Sequence, residues 1–167
     1  MRLLLFTFVL LLCSCTGLPN NVTPINNFQL QRYLGTWYEI ARLDHSFERG
    51  LSQVSASYSM RSDGGVRVLN KGFNSEDGRW QQAEGKAYFV QDETTGHLKV
   101  SFFGPFYASY TIFELDANYQ TAFVAGYSKD YLWLLARTPQ VDERTKQKFI
   151  QNAKDKGFAT EQLIWLN

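Results

Sequence analysis

After an apolar run over residues 3–12, in which Thr7 is the one polar side chain, the chain settles into short segments in which apolar and polar positions alternate with period two. In the clearest of these, Val54, Ala56, Tyr58 and Met60 share one face while Ser55, Ser57 and Ser59 share the other, which predicts a half-buried strand. Ser62-Asp63-Gly64-Gly65 then has the composition of a tight hairpin, with the return strand over residues 66–73. Further strands are predicted over 80–91, 98–104, 107–115, 121–127 and 131–137, and an earlier one over 37–43. Gly85 gives the 80–91 strand a place to bend, and Pro105 marks a break or an edge. A single helix is expected after Asp142, a natural N-cap, with Phe149, Ile150 and Ala153 on one face and Gly157 as its terminator. Leu163, Trp165 and Leu166 suggest a short closing strand. The pattern therefore predicts an all-β fold, an eight-stranded antiparallel up-and-down β-barrel with one C-terminal helix packed outside. A parallel α/β sheet is excluded, because helices between the strands are missing.

The start of the chain reads differently. Arg2 followed by the apolar run is the pattern of an export signal, too short to span a bilayer as a mature helix. The run ends in Leu12-Cys13-Ser14-Cys15, which resembles the bacterial lipobox, with Cys13 a departure from the usual Ala, Ser or Thr. That resemblance implies a signal peptide over residues 1–14 and a lipid-modified Cys15, held by more than one acyl chain. Thr16 in the following position, where inner-membrane retention would resemble Asp, implies the outer membrane of a Gram-negative envelope. Residues 15–27 read as the lipidated Cys and a polar, Pro-containing tether, and residues 28–167 as the barrel domain.

Composition narrows the chemistry. The chain has 167 residues, a length suited to one domain with a real core, and a formal net charge of +1. Such a balance argues against a nucleic-acid partner, which would draw a basic excess to one face. There are 13 Phe, 9 Tyr and 4 Trp against 2 His and 2 Cys, so flat apolar surface is plentiful and catalytic or metal-ligating groups are scarce. Metal-ligand spacing, a phosphate loop and a nucleophile elbow are all missing, and Asp44-His45-Ser46 are sequence neighbours, which does not make them a triad. Neither His45 nor His97 falls on an obvious inward position, which disfavours haem. Glu39 lies in a predicted strand, where burial would shift its pKa. Beyond Cys15 there is no cysteine, so internal disulfides are excluded and stability must come from the core. The expectation is a protein that is not an enzyme and carries no metal or cofactor.

Gly35-Thr36-Trp37-Tyr38-Glu39-Ile40-Ala41, preceded by Asn26-Asn27-Phe28 and Tyr33-Leu34, resembles the first signature of the lipocalins. Within them the chain is most similar to the bacterial outer-membrane lipoproteins related to apolipoprotein D. The similarity extends through Asn70-Lys71-Gly72, Gly85-Lys86-Ala87-Tyr88-Phe89, Phe102-Phe103-Gly104-Pro105-Phe106-Tyr107 and Asp130-Tyr131-Leu132-Trp133. It implies structural roles for Gly35 and Trp37 at the closed barrel end, for Arg137 lying against that tryptophan, and for Asp130 and Tyr131. Lys129-Asp130-Tyr131 stands where the family often has Thr-Asp-Tyr. A fatty acid or lysophospholipid is the implied ligand, with Trp133 and Tyr107 matching positions associated with the pocket.

Alternation supplies the rest of a candidate interior set: Ala56, Tyr58 and Met60, Tyr88 and Val90, Val100 and Phe102, and Tyr131 with Trp133 and Leu135. Where both faces carry aromatics, patterning leaves the inward face open. Some rings of the 102–107 run must point outward, to rest on the bilayer, pair with a second copy as a homodimer, or cover the barrel end. Two other readings remain: a filled barrel that serves as a structural or interaction protein through the 102–107 surface, and a carrier of another small hydrophobic ligand.

Overall fold

The computed structural model describes residues 16–166, so the signal peptide and Cys15 lie outside the described residues. A short helix α1 (Leu30–Tyr33) leads into eight strands: β1 (Gly35–Arg42), β2 (Leu51–Met60), β3 (Val66–Asn74), β4 (Arg79–Phe89), β5 (His97–Ser101), β6 (Ala108–Leu115), β7 (Thr121–Ala125) and β8 (Leu132–Ala136). Helix α2 (Glu143–Asp155), a 3-10 turn (Thr160–Gln162) and β9 (Ile164–Trp165) complete the chain. Each strand pairs antiparallel with the next, and β1 pairs with both β2 and β8, which closes the barrel. β2 accompanies β1 only over Gly35–Tyr38 and then diverges. β9 takes the vacated edge of β1 at Ala41 and Arg42.

Local chemistry explains the connections. In the β2–β3 hairpin the Asp63 carboxylate accepts the Gly65 N–H at 3.0 Å, and Gly64 occupies the left-handed region at φ 82°. Asp142 caps α2 by accepting the Thr145 N–H at 2.8 Å, which satisfies one of the free donors of the first turn. The helix α1 had no counterpart in the hydropathy pattern; at four residues it is too short to show a period.

Alternation along the strands separates two cores. On β8, Leu132, Leu134 and Ala136 point outward to meet Phe149 and Ala153 of α2, whereas Trp133 and Leu135 point inward. Residues 16–27 lie against the barrel. Val22 is buried in the outer core, and Ile25 bonds to the Ile112 carbonyl and the Gly96 N–H, each at 2.9 Å. Among the described residues both cores draw on positions 22–158, with partly buried neighbours up to Leu163.

One end of the barrel is shut. Trp37 is fully buried and donates its indole N–H to the Tyr33 carbonyl at 2.8 Å. The Arg137 guanidinium lies 4.0 Å above the Trp37 ring and donates to the carbonyls of Arg32, Tyr33, Leu34 and Thr36 at 2.8–3.1 Å. Gly35, at φ 97°, leaves the room this guanidinium uses: a Cβ there would stand 3.3 Å from Arg137 Nη1. Asp130 lies at the opposite end, in the β7–β8 turn, where it accepts from Ser128 Oγ at 2.9 Å.

Candidate functional site: the calyx

The barrel holds a cavity that is open at one end. Its bore is apolar, with Val54 from β2, Val66 and Val68 from β3, Ala87 from β4, Leu98 and Val100 from β5, and Phe102 beyond them. Toward the shut end stand Phe28, Tyr33, Tyr58 and Tyr110. The three tyrosine hydroxyls join in a chain, Tyr33 to Tyr110 at 2.7 Å and Tyr110 to Tyr58 at 3.0 Å. Burial pushes all three phenols up, so they stay neutral and can hydrogen-bond without carrying charge.

A polar cluster interrupts the wall nearer the mouth. The β1–β8 ladder slips its register between Glu39 and Ala41, and the bulge changes which residues face inward. Ala41 joins the outer core, while Glu39 and Arg42 meet across three positions, Arg42 Nη1 donating to Glu39 Oε1 at 2.8 Å. The Arg42 Nη2 fills the gap where β2 has left β1, donating to the carbonyls of Glu48 and Leu51 at 2.8 and 3.2 Å. Glu48, from the β1–β2 loop, accepts the Trp133 indole N–H at 3.1 Å and lies 3.0 Å from His45 Nε2. Burial and the Glu48 charge raise Glu39 well above the ordinary carboxylate range, against the pull of Arg42. For Glu48 burial acts upward too, but His45, Trp133 and Arg42 outweigh it and hold the carboxylate below its usual value. The two carboxyls are thus pushed in opposite directions, Glu39 toward its protonated form and Glu48 toward its ionised form.

Six of the residues expected from the sequence come together in this cavity: Ala56, Tyr58, Val100, Phe102, Trp133 and Leu135. The other five do not, each for a local reason. Tyr107 precedes β6, whose inward positions are Tyr110 and Ile112; its ring lies outside, 6.4 Å from Tyr88 and 5.3 Å from Lys99 Nζ. Tyr88 also faces out, because Ala87 and Phe89 take the inward parity of β4, and its hydroxyl donates to Asp63 at 3.0 Å. Val90 follows the end of β4. Met60 ends β2 beyond the tyrosine floor and is 45% exposed. Tyr131 precedes β8 and stacks over Trp133 at the rim, beside His45 and Phe47.

Sequence reasoning missed Glu48, Asn70, Tyr33, Tyr110 and Phe28, and had treated Glu39 only as a carboxyl open to burial. Phe28 and Tyr33 come from outside the strands, and Glu48 from a loop, where alternation gives no signal. His97 lies on the outer wall, buried, with Nε2 2.8 Å from Ser109 Oγ. Among the described residues no group of three or more His, Cys, Asp or Glu side chains could hold a metal ion.

Comparison with known proteins gives a family match, two relatives and a structural neighbour. The model of the lipocalin-like domain matches residues 28–167. The chain is 58% identical over 163 residues to the outer membrane lipoprotein Blc of Vibrio cholerae, covering 94% of this chain and 95% of that protein. It is 52% identical over 159 residues to the outer membrane lipoprotein Blc of Escherichia coli K12, covering 95% and 90%. Among solved structures, insecticyanin from the tobacco hornworm Manduca sexta superposes with a TM-score of 0.71 at 19% identity, covering 90% of this chain and 86% of that one. At that identity the likeness shows the fold.

Proposed function

We propose, from the premise that this chain belongs to the lipocalin family, that it is a lipid-anchored envelope protein whose calyx binds and carries a single-chain amphiphile, a fatty acid or a lysophospholipid. The observation that carries this reading is the open apolar bore with its polar cluster confined to one wall near the mouth. A long acyl chain fits such a bore, and a headgroup fits the cluster. Attachment through Cys15 to the outer membrane is supported by the relatives from Vibrio cholerae and Escherichia coli, both named as outer membrane lipoproteins. The protein acts by binding, without a reaction of its own.

Native mass spectrometry with lipid extraction tests this reading on the chain from Thr16 onward, purified from its host. An acyl lipid at close to one per barrel is expected, and its loss in Ala56→Trp, which places an indole in the bore. A barrel that arrives empty and takes up neither dodecanoate nor a lysophospholipid refutes the carrier role.

Three rings on the connections at the mouth, Phe47, Phe103 and Phe106, are 64–73% exposed. They support a second reading, in which two barrels meet through these rims as a homodimer. Analytical ultracentrifugation checks it: Phe103→Ser with Phe106→Ser should shift a dimer to monomer, and a wild type that sediments as a monomer at high micromolar concentration removes it.

A further inference from the structure

The floor of the calyx carries three hydroxyls where plain aromatic rings would fill the same space. Tyr33 comes from α1, Tyr58 from β2 and Tyr110 from β6, and all three line the cavity. The lining around them is hydrocarbon, with Phe28, Val66, Val68 and Leu98 in the same cluster. Packing fixes where the rings stand. Tyr33 stacks on the buried Trp37 at 4.6 Å between ring centres and meets Phe28 edge-on at 5.3 Å. Tyr58 lies 5.6 Å from Tyr33 and 6.1 Å from Tyr110.

Three hydroxyls bring three donor protons. The chain Tyr33–Tyr110–Tyr58 uses two of them, at 2.7 and 3.0 Å, whichever way each bond runs. Among the described residues no other group hydrogen-bonds to these oxygens, so one O–H is left without an acceptor. Burial keeps the phenols neutral, so that proton stays in place at neutral pH and well above it. A buried donor without a partner is destabilising, and three phenylalanines would avoid it while keeping the rings. Lone pairs remain free as well, so an incoming oxygen can accept the leftover proton, and an incoming hydroxyl can donate in return.

We propose that this floor is a polar subsite for the far end of the ligand: the calyx takes amphiphiles whose acyl chain carries an oxygen, as a hydroxyl or a carbonyl, at or next to its terminus. This rests on the reading of the calyx as an amphiphile site and deepens it by specifying the tail. An intact chain sets a methyl group against the unmatched donor, whereas an oxygenated chain completes the row of hydroxyls. The protein thereby distinguishes oxidised from intact acyl chains at the bottom of the bore. A role confined to tying α1 to β2 and β6 would give no such preference.

The test compares lysophosphatidylcholines in matched pairs, one acyl chain ending in a methyl group and the other in a terminal hydroxyl, at ten, twelve, fourteen and sixteen carbons. Their zwitterionic headgroup is costly to bury, so every probe enters tail first. The protein is the chain from residue 15 onward with Cys15→Ser, which leaves off the acyl groups and keeps every described residue. In a purely apolar bore a buried terminal hydroxyl weakens binding by about tenfold or more. Here, at the length that reaches the floor, calorimetry should find the hydroxylated probe binding at least as tightly as its methyl partner. With Tyr33→Phe, Tyr58→Phe and Tyr110→Phe combined, it should fall about tenfold or more behind that partner. Near-ultraviolet circular dichroism reports whether the triple variant keeps the fold. Where it does not, the wild-type series decides, because a donor at a fixed depth makes the ratio depend on chain length. A methyl-ended probe that binds more tightly at every length, a ratio indifferent to length, or a folded triple variant with the wild-type ratio overturns the inference and leaves the carrier reading standing. A calyx that binds no member of any pair overturns both.

Discussion

Trp133 donates its indole N–H to the Glu48 carboxylate across 3.1 Å, tying the inward face of β8 to the loop between β1 and β2. The bond spans 85 positions of sequence and holds a mouth loop by its one buried charge. Removing the donor while keeping an aromatic ring, as in Trp133→Phe, leaves that carboxylate with poorer compensation. The expected loss is about 1–3 kcal/mol in urea unfolding, the range for a buried acceptor deprived of its partner. Glu48 should also titrate at higher pH, which carboxyl NMR reads directly. An unchanged midpoint together with an unchanged titration would show that the bond contributes nothing.

The carboxyl pair makes stability depend on pH in two opposed ways. Glu39 titrates in the folded state well above its ordinary 4.5, so its contribution is complete below that value and is lost as pH rises through the folded pKa. Glu48 titrates below 4.5 when folded, so its contribution is present above that value and is lost as pH falls through the folded pKa. Glu39→Gln abolishes only the first. Relative to wild type, the variant should therefore gain stability between about pH 5 and about pH 8, measured by urea midpoints at each. A wild-type minus variant difference that stays flat across that interval contradicts the raised pKa.

Arg137 combines a ring face with four carbonyls of the 32–36 segment, and a lysine can reproduce the charge without the fork. Arg137→Lys should cost about 2–3 kcal/mol, from a weakened cation–π contact and lost hydrogen bonds. Because this contact seals the end of the barrel opposite the mouth, ligand affinity measured well below the melting temperature should hardly change. A variant that melts like wild type, or that loses ligand while remaining as stable, contradicts a purely structural role.

The barrel itself was legible because period-two alternation is imposed by geometry on every strand that separates a core from its surroundings. It failed where geometry breaks the period. The register slip between Glu39 and Ala41 turned two charged side chains toward each other, a pairing that strict alternation forbids at a separation of three. Similarly, Tyr88 was expected inside by alternation and Tyr107 by its match to a family position, yet both rings lie outside, and hydropathy ranks rings without telling which way they point. Glu48 and Phe28 reach the cavity from connections, where no period exists to be read. Val22 shows the same limit: a lone apolar residue in a polar stretch gave no sign that residues 16–27 pack on the barrel.

His97 secures part of that packed segment. Burial lowers its pKa, partly offset by a hydrogen bond with the Thr16 backbone, so the ring is neutral where an exposed histidine would begin to charge. Its folded pKa is depressed, hence its contribution is present above the ordinary 6.5 and is lost as pH falls through the folded value. Protonation should loosen residues 16–27 before the barrel opens. Hydrogen exchange at Val22 and Ile25, corrected for intrinsic rates, should quicken between about pH 7 and about pH 5 in wild type but not in His97→Asn. Equal acceleration in both proteins would place the sensitive group elsewhere.

Gly85 lets β4 approach β5 closely at the wall of the calyx, because it has no side chain. A Cβ there would stand 2.8 Å from the Ser101 carbonyl oxygen and 2.9 Å from Phe102 Cδ1. The first neighbour is backbone of β5 and cannot swing aside, so relief must come from parting β4 and β5 or from turning Phe102. Either change alters a wall of the cavity, since Phe102 lines it. Gly85→Ala should therefore cost about 1–3 kcal/mol, the range for overpacking, and weaken ligand binding at the same time. Gly17→Ala is the control: a Cβ at that site meets nothing within 4 Å, and both stability and binding should stay near wild type. If Gly85→Ala proves as neutral as the control, β4 and β5 have slack at this crossing, and the bore is wider in solution than the close approach of Phe102 implies.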